Sequence, residues 1–228
     1  MTTLAAERAA KQAEAPVSKA PVKDVFGNAG LMKLVILNFF YQTGDYGYTL
    51  WLPTILKGLT GGNMASVGFL AVLPFVATLA GIYVISLFSD HSGKRRLWVR
   101  FSLYSFAAAL VASVVLRDQM VAAYIALVIC GFFLKSATSP FWSMPGRIAS
   151  PEVAGSARGV INGLGNLGGF CGPYLVGVMM YLYGQNVAVC ALAGSLIIAG
   201  TMTFLLPKQC DLVDSDSDVA IKNQPRNA

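Results

Sequence analysis

The sequence predicts an all-α membrane protein, and three observations carry that assignment. The 228-residue chain is 55% hydrophobic and only 12% charged, with a mean hydropathy of +0.60, whereas soluble domains carry about 25% charged residues. Uncharged apolar runs of about 20 residues recur, the length that takes an α-helix across the hydrocarbon core. Lysine and arginine gather between alternate runs, as membrane topology demands. A membrane β-barrel would alternate apolar and polar at every second residue, but here the apolar residues come in solid blocks.

Residues 1–30 are polar and rich in Ala and Lys. They lack the early hydrophobic region of a secretory signal and read as a cytoplasmic linker with a short Ala-rich helix. The first expected span, 31–57, places Asn38, Tyr41, Asp45 and Tyr48 at i, i+3, i+7 and i+10, one helical face. Polar side chains at membrane depth turn toward a cavity or another helix, so Tyr41 and Tyr48 are candidates for an aromatic gate, or for anchoring at the interface. Gly44, Gly47 and Pro53 weaken the backbone ladder of the same helix. Trp51, near its end, fits an interfacial anchor.

The second and third spans, 63–89 and 97–116, flank the basic loop DHSGKRR. The fourth, 120–144, puts Lys135, Thr138 or Ser139, and Trp142 on one face. Lys135 lies about 20 Å from the outer end at 1.5 Å per residue, where it can bind a carboxylate or snorkel to the interface. Asp45 lies about 20 Å from the opposite end by the same rise. Their depths therefore differ by about two turns or slightly less, and direct pairing requires offset helices.

The fifth span, 156–182, contains VINGLGNLGGFCGP, in which five of fourteen residues are glycine. In hydrocarbon this composition does not imply a loop, because small residues let helix backbones approach. Gly165/Gly169 and Gly168/Gly172 have GxxxG spacing, and Asn162, Asn166, Gly169, Pro173 and Gly177 fall on one face. The sixth span is 186–206, and 207–228 reads as a disordered polar tail.

With both termini on the side of the basic loops, that side holds fourteen lysines and arginines. The other holds only Lys57 and Arg117, with Lys135 left over. This bias places both termini in the cytoplasm. It also disposes of nucleic acid as a partner: the net charge of +6 sits at the ends of apolar blocks. The four cysteines show no CxxC and no histidine cluster, so no metal site, cofactor or disulfide framework is expected. His91, in a loop, reads as solvated. No nucleophile–base arrangement or H-E-x-x-H supports an enzyme.

The loop SLFSDHSGKRR at 86–96 resembles the signature loop of the major facilitator superfamily, G-x-x-x-D-x-x-G-R-R, with Asp90, Gly93 and Lys94–Arg96 matching and Ser86 in place of the leading glycine. An aspartate at a helix end and a tight glycine turn hold basic residues against neighbouring helix termini. YGYTLWLPTILKGL at 46–59, PFWSMPGRI at 140–148 and ARGVINGLGNLGGFCGPYLVG at 157–177 are similar to elements of the anion:cation symporters of that superfamily, over roughly residues 30–206.

The resemblance implies six transmembrane helices forming the C-terminal half of the fold, two three-helix inverted repeats, with an amino-terminal half as partner. It implies secondary transport of an organic anion, a sugar acid or related carboxylate, by proton symport in the inner (cell) membrane. It also implies that Trp142 and Asn162, twenty positions apart, contact substrate, with Asn166 contacting substrate or bonding a neighbouring helix. Asp90, Arg95 and Arg96 would form a gating latch. Asp45 departs from the family element and either titrates or meets water at the outer mouth. A six-span channel or scaffold acting as a homo-oligomer is the alternative.

Overall fold

The computed structural model describes residues 22–211; the bulk of the expected linker (1–21) and tail (212–228) lies outside the described residues. The helices are α1 (Val22–Gly27), α2 (Ala29–Thr60), α3 (Met64–Ser92), α4 (Arg95–Val115), α5 (Met120–Leu134), α6 (Thr138–Trp142), α7 (Pro145–Ile148), α8 (Ala154–Tyr183) and α9 (Gln185–Met202). Two 3-10 turns follow, Thr203–Leu205 and Lys208–Cys210. No strand occurs among the described residues.

Local chemistry sets the boundaries. Asn28 caps α2 by accepting from the Gly30 and Leu31 amides, and Asn63 caps α3 by accepting from Ser66. Such caps satisfy amides that the first turn leaves without partners. Gly93 ends α3 in the left-handed region (φ 66°) and donates its N–H to the Ser89 carbonyl, a C-terminal stop that suits glycine.

Four segments are long and apolar enough to cross a membrane: Met64–Ser92, Arg95–Val115, Met120–Ile148 and Gln185–Leu205. The other two long helices, α2 with 32 residues and α8 with 30, have the length but carry more polar groups and glycine. The six long segments form a closed ring in the order α2, α8, α9, α4, α5, α3, and α2 also packs on α9 across it. Large apolar side chains such as Phe69, 86% exposed, point outward.

Glycine governs the closest approaches. On α8, the Cα faces of Gly165, Gly168 and Gly172 rest on Asn38, the Phe39 carbonyl and the Thr43 carbonyl of α2. Gly131 of α5 rests on the Pro74 backbone and Gly81 of α3 on the Phe132 carbonyl. Lipid supplies no hydrophobic drive between helices, so van der Waals fit between small residues holds these crossings. The Gly165–Gly168–Gly172 stripe makes the contact, while Gly169 meets only the Tyr46 ring.

The fourth segment differs from expectation. It was predicted as one helix over 120–144, but it stops at Leu134, turns through Lys135–Ala137 and restarts as α6. Pro140 is tolerated in the first turn of a new helix and disrupts a continuous one. The Thr138 amide donates to the Lys135 carbonyl, three residues back. The Leu134 carbonyl instead accepts from the Tyr41 hydroxyl of α2 at 2.8 Å.

The start of the expected polar tail also belongs to the bundle. Arg96 reaches Asp211 at 2.7 Å, its backbone N–H donates to the same carboxylate at 2.9 Å, and its guanidinium also donates to the Leu206 carbonyl. Asp211 thereby caps the first turn of α4 from beyond α9. Burial beside it pushes the Cys210 thiol up to about 11. Asp211→Ala is expected to lower stability by about 1.5 kcal/mol, the scale of a charge-assisted hydrogen bond. It should also raise the rate at which Cys210 reacts with a maleimide, read in a variant lacking Cys171 and Cys190. Unchanged labelling would show that Asp211 does not hold this turn down.

Candidate functional site

Polar side chains converge on one flank of the bundle, where α2, the break after α5, and α8 meet. α8 contributes Asn162 and Asn166, both exposed and one turn apart, so they share a face. The Asn166 side-chain amide donates to Asn162 Oδ1 at 2.9 Å, and Gln42 of α2 donates to Asn166 Oδ1 at 2.7 Å. This ladder is polarised. It ends in free N–H donors at Asn162 and in a carbonyl acceptor at Gln42, a set suited to carboxylate and hydroxyl groups.

One turn along α2, Tyr46 links the ladder to a charge pair. Its ring lies against Gly169 on one side, and the Lys135 ammonium sits 5.6 Å from its centroid, within cation–π range. Lys135 Nζ bonds Asp45 Oδ2 at 2.6 Å; the Lys135 side chain is 38% exposed and that of Asp45 only 2%. Asp45 Oδ1 has no hydrogen-bond partner. A buried charge needs pairing and satisfied lone pairs, and here one oxygen of the carboxylate is left without a donor.

This contact corrects the depths assigned from the sequence. α2 continues to Thr60, past the expected end at 57, and Asp45 lies fifteen residues before that terminus. Lys135 follows Met120, the first residue of α5, by the same fifteen. Counted from their shared end of the bundle, the two are level, and no helix offset is needed.

The remaining candidates separate. Tyr41 is buried and donates to Leu134, with its hydroxyl 3.1 Å from Thr138 Oγ1. Tyr48 is fully buried, donates to the Leu127 carbonyl at 2.8 Å and stands edge-on to Phe106. Both tyrosines therefore fasten α2 to α5, and the face expected to line a cavity is turned into the bundle. Trp142 is half-buried on α6, edge-on to Phe141, and no hydrogen bond joins it to Asn162. Trp51 donates its indole N–H to the Pro173 carbonyl, binding α2 to α8 rather than anchoring at an interface.

At the basic end Arg95 lies 3.2 Å from Asp90, whose side chain is mostly exposed. Arg96 does not share that pair, since Asp211 takes it. A separate cavity of about 510 Å³, lined by Gly58, Arg117, Gln185 and Asn186 among others, opens thirteen residues beyond Asp45 on α2, about 20 Å away at helical rise.

Sequence reasoning missed Gln42 and Tyr46. Their signal is the i, i+4 spacing beside Asp45, on the face next to the one chosen.

A bundle of apolar helices whose polar groups gather along one flank beside a broken helix has the make-up of a multi-pass membrane protein. The chain belongs to the Major Facilitator Superfamily, whose family profile matches residues 34–217. It is 34% identical over 159 residues to a quinolone resistance transporter of Acinetobacter baumannii, covering 68% of this chain and 36% of the relative. It is 28% identical over 207 residues to a putative tartrate transporter of Agrobacterium vitis, covering 90% and 46%. It is 24% identical over 211 residues to a probable galactarate/D-glucarate transporter of Bacillus subtilis, covering 90% and 45%. The chain thus spans less than half the length of these relatives. These relatives are named as transporters, and none of them as an enzyme.

Proposed function

We propose that this chain forms one six-helix half, the carboxy-terminal one, of a secondary carrier for an organic anion. The favoured cargo is a sugar acid or related carboxylate, taken up with a proton by alternating access across the inner membrane. Both termini then lie on the cytoplasmic side, α2 and α8 complete six spans arranged as two inverted repeats, and an amino-terminal half closes the site. The observation that carries this reading is the continuous strip from Asn162 through Asn166, Gln42 and Tyr46 to Lys135. It joins amide donors, a carbonyl acceptor and one cation on an open flank. Similarity to proteins named for tartrate and galactarate/D-glucarate supports the class of cargo.

In this reading Trp142 offers a flat apolar face, Asn162 and Asn166 bond carboxylate or hydroxyl oxygens, and Lys135 supplies the charge. Tyr41 and Tyr48 act indirectly, by holding α5 in place. Asp90 with Arg95, and Arg96 with Asp211, latch the cytoplasmic ends as the halves rock.

The test is binding of labelled tartrate and D-glucarate to the chain co-assembled with its amino-terminal half. Trp142→Ala and Asn162→Ala are each expected to weaken binding about tenfold, near 1.4 kcal/mol. If neither does, the site assignment is wrong. Proton-coupled uptake by this chain alone would overturn the half-carrier reading. Uptake or export of a quinolone, with neither acid moved, would replace the cargo class.

A further inference from the structure

We propose that Asp45 is a resident stand-in for the cargo. It occupies Lys135 in the empty carrier, and the cargo carboxylate displaces it and leaves it protonated. This rests on the carrier reading above and adds the step that joins cargo to proton.

The geometry sets the two partners unequally. Lys135 is partly exposed on the polar flank and reachable from it, while Asp45 is buried behind it with one oxygen bonded to the ammonium and the other bonded to nothing. Among the described residues no other cation lies within ion-pair distance of Asp45. The Tyr41 phenol of its own helix also faces it, and that hydroxyl is already spent on Leu134. Asp45 therefore has no second cation to turn to when Lys135 is taken.

The exchange balances. The empty site holds one ammonium and one carboxylate. An arriving carboxylate forms its ion pair with the Lys135 ammonium, and the Asp45–Lys135 bond breaks. A proton from water on the side that the site then faces adds to an Asp45 oxygen. The loaded site again sums to zero, and one proton travels with one carboxylate. An ionised, unpaired carboxylate in a low-dielectric interior is strongly disfavoured, and such a group neutralises instead. The neutral acid keeps an O–H donor for the cavity that the ammonium vacates.

The experiment measures tartrate binding, and the accompanying pH change in weak buffer, on this chain co-assembled with its amino-terminal half in lipid nanodiscs. The wild-type complex is expected to take up about one proton per tartrate, with affinity rising about tenfold for each unit fall in pH. Asp45→Asn leaves Lys135 without its competitor. That variant is expected to bind tartrate at least about tenfold more tightly at neutral pH, with no proton uptake and no pH dependence from this site. Lys135→Gln is expected to weaken binding more than about thirtyfold. The double variant D45N/K135Q leaves no buried charge alone, so a wild-type melting profile together with lost binding assigns the loss to the missing ammonium. Tartrate binding without proton uptake, undiminished uptake in Asp45→Asn, or wild-type affinity in Lys135→Gln would overturn the exchange and leave the carrier reading in place. Absence of both tartrate and D-glucarate binding by the wild-type complex would overturn that reading, and the exchange with it.

Discussion

Gly168→Leu is expected to lower the stability of the bundle by at least about 3 kcal/mol, the upper range for overpacking a close contact. The position faces backbone: a Cβ at Gly168 would run into the Phe39 carbonyl and lie 2.9 Å from Thr43 Oγ1. The backbone carbonyl cannot swing aside as a side-chain terminus would, so α2 and α8 must separate. At Gly163, five residues earlier on the same helix, an added Cβ meets nothing within 4 Å, and Gly163→Leu is expected to be neutral within about 0.5 kcal/mol. Comparing the two by thermal unfolding in detergent isolates the crossing from any general aversion of α8 to leucine. Separation of the helices also stretches the Gln42–Asn166 bond, so the Gly168 variant should lose tartrate binding as well. Equal melting of the two variants would remove the glycine stripe as the basis of the α2–α8 contact.

Lys135→Ala is expected to destabilise by about 3 kcal/mol, the low end for removing one partner of a buried ion pair. The low end applies because 38% of the lysine side chain is exposed while its partner is almost wholly enclosed. Adding Asp45→Asn in the same chain should restore most of the loss, because a neutral amide tolerates the enclosed position far better than an isolated carboxylate. A double-mutant cycle read by denaturant or thermal unfolding measures the coupling, expected between about 0.5 and 3 kcal/mol for groups in contact. A cycle that closes to zero would mean that the pair contributes nothing to holding α2 against α5.

Much of the architecture could be read from the chain because it follows from local rules. The apolar blocks set five of the six long helices to within a few residues, and Asn63 and Gly93 fall where a cap and a stop belong. The glycine face of α8 was expected to meet a neighbouring helix, and it does. Features that depend on how helices sit beside one another were out of reach. The level placement of Asp45 and Lys135 depends on where α2 stops relative to the start of α5, and terminal positions are the part of a helix that a sequence fixes least well. The break at Lys135 was announced by Pro140 but was masked by apolar residues on both sides. Assigning Tyr41 and Tyr48 to an open cavity followed from their shared face, yet which neighbour covers a face is a tertiary fact. Gln42 went unnoticed because an isolated amide becomes informative only beside Asn166.

The pairing of α2 with α8 carries a consequence for how the protein is made. These are the two long helices that fall short of the apolarity of a self-sufficient span, and they share the most extensive contact in the bundle. α2 is synthesised before α8, which begins 94 residues after α2 ends. A helix with Lys33 and Asp45 in it enters lipid with little free energy in hand, and the groups that satisfy its Asn38 and Gln42 have yet to be synthesised. On the six-span reading proposed above, biogenesis has a waiting interval, in which α2 stays beside the insertion machinery or the interface until α8 arrives. Mistargeting and early degradation should concentrate in that interval.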